Sequence, residues 1–171
     1  MKKSVVELTI NGAERQMLVL PGATLVEVLR EEQGLTGTRR GCDQGACGTC
    51  TVLVDGQPVM SCLIPVETIQ GASVETIEGM TPVHGLHPIQ EAFVEGFATQ
   101  CGFCTPGMIM ASVDIINRHP EGLDEATVRA ELEGNICRCT GYHNIVKAVL
   151  AASKAMAKGK GKAAPKAKRA A

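Results

Sequence analysis

Val6, Leu8 and Ile10 fall on one side of Ser4–Ile10 with Glu7 and Thr9 between them, the period-two alternation of a strand with one buried face. Asn11-Gly12 tolerates positive φ at both positions, so a tight hairpin turn leads into a second strand over about 14–20, ended by Pro21-Gly22. Thr24 and Glu27 have the spacing of a capping box, which opens a helix with Leu25, Val28 and Leu29 inward and Gly34 as C-terminal cap. Residues 37–50 have no period. Strands are expected at Thr51–Val54 and 58–62 around an Asp55-Gly56 turn, then at 68–69 and 74–77, with a domain boundary near Gly79.

Beyond Gly79 the period changes from two to 3.6. Pro88 suits the first turn of a helix to about residue 98, with Ile89, Phe93, Val94 and Phe97 inward. Thr105-Pro106 starts the next, with Met108, Ile109, Val113 and Ile116 at helical spacing, and it stops before Pro120. Asp124 caps a shorter helix through Val128 and Leu132, ended by Gly134. The last begins near Tyr142 and carries Ile145, Val146, Val149 and Leu150. The expected fold class is therefore α+β: a sheet domain over 1–78, a small four-helix bundle over 79–157, and a Lys/Ala/Gly/Pro-rich tail over 158–171 expected to be disordered.

Composition narrows the function. The tail holds six basic residues and no acids, which leaves eleven basic against eighteen acidic residues in the body, a net charge of −7. An acidic body argues against nucleic acid as partner. The tail lacks aromatics for base stacking and has no amphipathic period, so it reads as a solvated extension. Only four aromatic residues leave a core of Val, Ile, Leu, Ala and Met, thin enough that metal sites would help hold two small domains. Lys2-Lys3 runs straight into a strand with no apolar leader, and no stretch has membrane-spanning length, so no membrane insertion is expected. Cytoplasmic localisation is expected, where reduced thiols are metal ligands more often than disulfides.

All eight cysteines fall into two sets of four. Cys42-x4-Cys47-x2-Cys50 followed by Cys62 has the plant-type [2Fe–2S] ferredoxin spacing. Gly41, Gly45 and Gly48 interleave these thiolates, so the backbone can wrap close and aim N–H groups at sulfur. Hairpin, helix, metal loop is the order of a β-grasp ferredoxin. Cys101 and Cys104 form one further pair, Cys137 and Cys139 another, both at helix ends that a bundle would bring together. Two four-cysteine zinc sites are the bland alternative. The first spacing is poor for a zinc ribbon, and Cys137-x-Cys139 is tighter than a usual zinc knuckle. The chain thus reads as a two-cluster electron carrier.

The remaining candidates weigh less. His84, His87, His119 and His143 lack the paired Cys-x-His loops of a Rieske site and read as surface or capping residues. Met108 and Met110 read as helix packing. Arg138, between two thiolates, is either a solvated arginine or an offset to cluster charge. Tyr142 reads as core packing, within hydrogen-bonding reach of the second site. No Gly-rich dinucleotide loop or flavin site appears, and the length supports a subunit rather than a complete enzyme.

The runs Gly41-Cys-Asp-Gln-Gly-Ala-Cys-Gly-Thr-Cys-Thr-Val, Gln100-Cys-Gly-Phe-Cys-Thr-Pro-Gly-Met-Ile-Met and Gly134-Asn-Ile-Cys-Arg-Cys-Thr-Gly-Tyr resemble the iron–sulfur subunit of the molybdenum hydroxylases. That family includes xanthine dehydrogenase, aldehyde oxidoreductase, carbon monoxide dehydrogenase and hydroxybenzoyl-CoA reductase. The resemblance covers about residues 4–156 and implies two [2Fe–2S] clusters in an electron-transfer subunit of an oxidoreductase. Cys101, Cys104, Cys137 and Cys139 would hold the cluster nearer a molybdenum–pterin cofactor in a large subunit. Cys42, Cys47, Cys50 and Cys62 would hold the one nearer the outgoing acceptor, usually FAD on a medium subunit. Gln100 matches the family glutamine that contacts the pterin. Thr49 stands where many members carry Ala, a small change with no expected effect. A free-standing two-cluster ferredoxin is the alternative, and the substrate of the complex is not written in this chain.

Overall fold

The computed structural model describes residues 2–158; the basic tail expected to be disordered lies outside them except for Lys158. Five strands, β1 (Ser4–Ile10), β2 (Ala13–Val19), β3 (Thr51–Val54), β4 (Gln57–Met60) and β5 (Ser73–Glu75), make one sheet in the order β2-β1-β5-β3-β4. The β1–β2 hairpin turns on Asn11 and Gly12, with φ of 51° and 80°. β5 runs parallel to β1 and antiparallel to β3. Val6, Leu8 and Ile10 are buried, as their alternation requires, and pack with Val19, Leu25, Leu29 and Val74 into one core.

The capping box forms: Glu27 accepts from the backbone N–H and the hydroxyl of Thr24, both at 2.9 Å, opening α1 (Leu25–Glu27). These bonds, with Arg40 nearby, hold the Glu27 carboxyl below its ordinary pKa. The helix then widens into a π-helical stretch, Val28–Glu32, where a regular helix was expected. Arg30 donates from its far side to the carbonyls of Thr36 and Thr38 at 2.9 and 2.8 Å, tying the helix end to the cysteine loop.

One expected strand is absent and two end earlier than expected. Residues 66–69 form a 3₁₀ turn, Val66–Ile69, because Thr68 bonds the Pro65 carbonyl with both its N–H (3.0 Å) and its hydroxyl (2.7 Å) while Val66 plugs the core. The strand expected at 74–77 is β5, and Ile77 instead opens a short helix, α2 (Ile77–Met80). Asn11 captures Thr76 there, donating to its hydroxyl at 3.0 Å and accepting from its N–H at 2.9 Å, which takes Thr76 out of the ladder. β4 likewise ends at Met60, so Cys62 sits on a 3₁₀ turn, Ser61–Leu63, rather than on the strand.

Four helices follow: α3 (Pro88–Glu95), α4 (Thr105–Arg118), α5 (Glu125–Glu131) and α6 (His143–Lys158). His87 caps α3, its ring accepting from the Ile89 N–H, and burial lowers its pKa, which keeps that ring nitrogen free to accept. α3 ends before the expected residue 98. Gly96 closes it and Phe97 turns to φ 50°, while the Ala98 N–H reaches back to Phe93 O at 2.9 Å. Phe97 and Val94, expected inward, are therefore 79% and 66% exposed, whereas Ile89 and Phe93 bury. Asp124 caps α5 by accepting from the Thr127 N–H at 2.7 Å, and that helix ends at Leu132 rather than Gly134. α4 is the central helix, buried from Gly107 to Ile116. Leu53 of β3 joins its core, so sheet and helices share a packed surface. No helix among the described residues is long and apolar enough to cross a membrane.

Candidate metal centres

Cys42, Cys47 and Cys50 lie on the aperiodic loop before β3, and Cys62 follows β4. The β3–β4 register sets Thr51 against Met60, so the hairpin delivers Cys50 and Cys62 to the same end, where both bury against Val26. The sulfurs come in two close pairs, Cys42 with Cys47 and Cys50 with Cys62. The Gln44 backbone N–H, with the Cys47 thiol and the N–H groups of Ala46 and Cys47, pulls the Cys42 thiol down to about 7. Burial pushes Cys62 up to about 11. Backbone donors converging on sulfur suit an anionic guest.

The second set is assembled from two loops. Cys104 is the N-cap residue of α4, Cys101 lies on the turn before it, and Cys137 and Cys139 lie between α5 and α6. Cys101 and Cys139 sulfurs are 3.6 Å apart, and Cys104 pairs with Cys137. Burial pushes Cys104 up to about 12. Burial acts the same way on Cys137 but is outweighed by the Thr140 hydroxyl and backbone N–H, 3.1 and 3.5 Å from its sulfur, so that thiol is lowered. Cys101 and Cys139 are exposed, in contrast to Cys50 and Cys62.

The donor geometry discriminates between metals. Two bridged irons take two thiolates each, whereas a single tetrahedral ion needs four around one point. Both sites offer two sulfur pairs, one for each iron of such a group. The residues fit a [2Fe–2S] group at each site.

The two loops touch through backbone. The Ile136 N–H donates to Cys47 O at 2.9 Å, and the buried Asn135 amide donates to Gly48 O at 2.8 Å and to the Thr51 hydroxyl at 3.3 Å. Gly48 has φ 68°, and a Cβ there would strike the Gly134 carbonyl; one on Gly107 would strike the Gly48 carbonyl. Only glycine permits this approach.

Several side chains act beyond what the sequence suggested. Tyr142 packs against the helical core as expected, but its hydroxyl also accepts from the Cys137 N–H at 2.8 Å. Thr49 is buried with its hydroxyl 3.2 Å from Cys47 sulfur. Short Cys-x-Thr and Cys-x-x-Thr spacings were the available signal for Thr49 and Thr140. Gln100 is exposed beside Cys101, and Arg138 is exposed. His84 and His143 are exposed, His119 pairs with Glu131, and Met108 and Met110 are buried in packing.

A model described as "2Fe-2S iron-sulfur cluster binding domain" matches residues 8–73, and one described as "[2Fe-2S] binding domain" matches residues 76–150. Fold and sites together define a protein with two [2Fe–2S]-binding domains. The xanthine dehydrogenase iron-sulfur-binding subunit of Escherichia coli O157:H7 is 45% identical over 146 residues, 85% of this chain and 91% of the relative. Quinoline 2-oxidoreductase of Pseudomonas putida 86 superposes with a TM-score of 0.89 at 41% identity, covering 94% of this chain and 99% of the matched one. Aldehyde oxidoreductase of Desulfovibrio desulfuricans ATCC 27774 matches with a TM-score of 0.85 at 40% identity, covering 91% of this chain but 17% of that larger one. The chain belongs to the iron–sulfur small subunits of the molybdenum hydroxylase family.

Proposed function

We propose that this chain relays electrons singly, through two [2Fe–2S] clusters, from a molybdenum–pterin site in a large subunit towards FAD or another acceptor in a further subunit. Cys101, Cys104, Cys137 and Cys139 would hold the cluster that receives, and Cys42, Cys47, Cys50 and Cys62 the one that passes on. Two electrons leave the molybdenum together, so one-electron carriers in series both split and buffer them. The observation that carries this reading is the loop contact. From Cys137 the path crosses the peptide to Ile136, one 2.9 Å hydrogen bond, and the Cys47 carbonyl. A few covalent bonds and one hydrogen bond thus link the two thiolate sets.

Exposure supports this direction. Cys101 and Cys139 are open to solvent beside Gln100, Phe103 and Ile136, the last two about half exposed at 45% and 49%. Apolar side chains around exposed ligands suit a face covered by the large subunit, where Gln100 would contact the pterin. The whole fold matches a small fraction of the D. desulfuricans aldehyde oxidoreductase chain, which supports a unit built into a larger assembly rather than a free-standing ferredoxin. In this reading residues 1–78 and 79–157 act as the two cluster domains of a cytoplasmic heterotrimer, and hydroxylation takes place on the partner. The test is affinity purification of the tagged chain from its native host. Two larger proteins, with molybdenum and flavin, are expected. A monomer that is active alone with several acceptors would contradict the proposal.

A further inference from the structure

In each site one cysteine sulfur receives a side-chain hydroxyl, and among the described residues only those two do. They are Cys47, 3.2 Å from Thr49 Oγ1, and Cys137, 3.1 Å from Thr140 Oγ1. These cysteines also sit on the two loops joined by the Ile136–Cys47 hydrogen bond.

The Thr49 hydroxyl has one proton and two acceptors in reach. The Arg39 carbonyl is 3.3 Å away, long against the ~2.7–2.8 Å usual between oxygens. Sulfur is a larger atom, so 3.2 Å is close contact. A metal-bound thiolate has no proton of its own to give, which makes Thr49 the donor, and the negative charge strengthens the bond. Thr49 is 5% exposed, so water does not compete freely for the same proton. Thr140 is held more firmly still. Its oxygen accepts from the Tyr142 N–H at 3.2 Å while it points at Cys137, and Tyr142 in turn accepts from the Cys137 N–H. A hydroxyl that accepts one bond donates the next more strongly.

We propose that Thr49 and Thr140 set the reduction potentials of the two sites independently, each raising that of the cluster whose sulfur it touches. The inference rests on the two-cluster reading above. A [2Fe–2S] group held by these cysteines would take up one electron from the partner, and part of the added negative charge would fall on the thiolates. Thr49 and Thr140 keep their protons throughout and favour the state with more charge on sulfur. Hydrogen bonds to cluster sulfurs are among the factors that fix such potentials.

The experiment is a redox titration of the iron-loaded protein followed by electron paramagnetic resonance, with iron and labile sulfide measured on every variant. Thr49→Val keeps the shape and removes the hydroxyl. It is expected to lower the reduced-to-oxidised ratio of the ferredoxin-type signal about tenfold at fixed potential, ~59 mV for one electron, and to leave the helical-domain signal in place. Thr140→Val should do the reverse. Thr49→Ser and Thr140→Ser should restore wild-type values. Should Thr49→Val lose iron, Thr49→Ala and the Thr140 variants carry the test. Fully loaded variants that titrate like wild type, signals that move together, or serine variants that fail to restore the potential would each overturn the inference. A wild-type protein without two iron signals would instead sink the two-cluster reading, so the two failures are distinct.

Discussion

The two cysteine sets offer the same four thiolates but reach them by different routes. Cys42, Cys47 and Cys50 lie within a single loop, and the register of one hairpin adds Cys62. Cys101–Cys104 and Cys137–Cys139 come from loops far apart in sequence, joined because α5 and α6 pack beside α4. The first site is shaped by turns and backs onto a sheet with two sulfurs buried. The second is shaped by helix packing and leaves two sulfurs exposed. In the proposed relay the more open site would meet the large subunit, and the first site would reach its acceptor from the half-buried side of Cys42 and Cys47. The contact at Ile136, Asn135 and Gly48 joins the two sites, and the proposed relay would run through it.

Breaking one route should spare the other. Cys104→Ser has the largest expected effect: the helical-domain iron is lost, total iron falls by half, and the ferredoxin-type signal survives. On the proposed relay, turnover of the assembled complex should then be abolished, because electrons would have no exit from the molybdenum site. Metal analysis and steady-state assay check this, and unchanged turnover would refute the series arrangement. Asn135→Leu tests the junction instead. It removes one of three donors to the Gly48 carbonyl, which still accepts from the Thr51 N–H and hydroxyl, so the expected cost is that of one hydrogen bond, about 0.5–1.5 kcal/mol. A lower denaturant midpoint is expected, with slower transfer between clusters at nearly unchanged potentials. Rapid-mixing kinetics that match wild type would remove the junction from the path.

The smallest effect is pH-dependent and confined to the helices. Glu131, hydrogen-bonded to His119 at 2.6 Å, raises the imidazole pKa above its ordinary 6.5, with Glu121 adding to it. The bond favours the charged ring, so its contribution is complete below about pH 6.5 and fades as pH rises through the raised value. Thermal midpoints should therefore drop slightly across that range, and His119→Gln should flatten the slope. Arg118, paired with Asp114 and Glu131, keeps α4 joined to α5 throughout.

What could be read from the sequence was what is set locally. The Thr24–Glu27 box, the Asp124 cap, the Asn11-Gly12 turn and the cysteine spacing each act within a few residues, and each forms. Phe97 misled because helical spacing assumes the helix continues, and Gly96 ends it one residue earlier. The strand expected at 68–69 failed because Pro65 offers its carbonyl to Thr68. Asn135 carries no local sign of its role, since its acceptors lie on a loop more than eighty residues away. Thr49 looked like a neutral change until the fold placed its hydroxyl against sulfur.

The most direct test of two clusters in series is a combined iron, sulfide and spin count on the anaerobically purified, fully reduced protein. Expected are about four irons and four labile sulfides per chain, with about two unpaired spins in two separable signals. A colourless protein holding zinc, or a single spin with two irons, would contradict it.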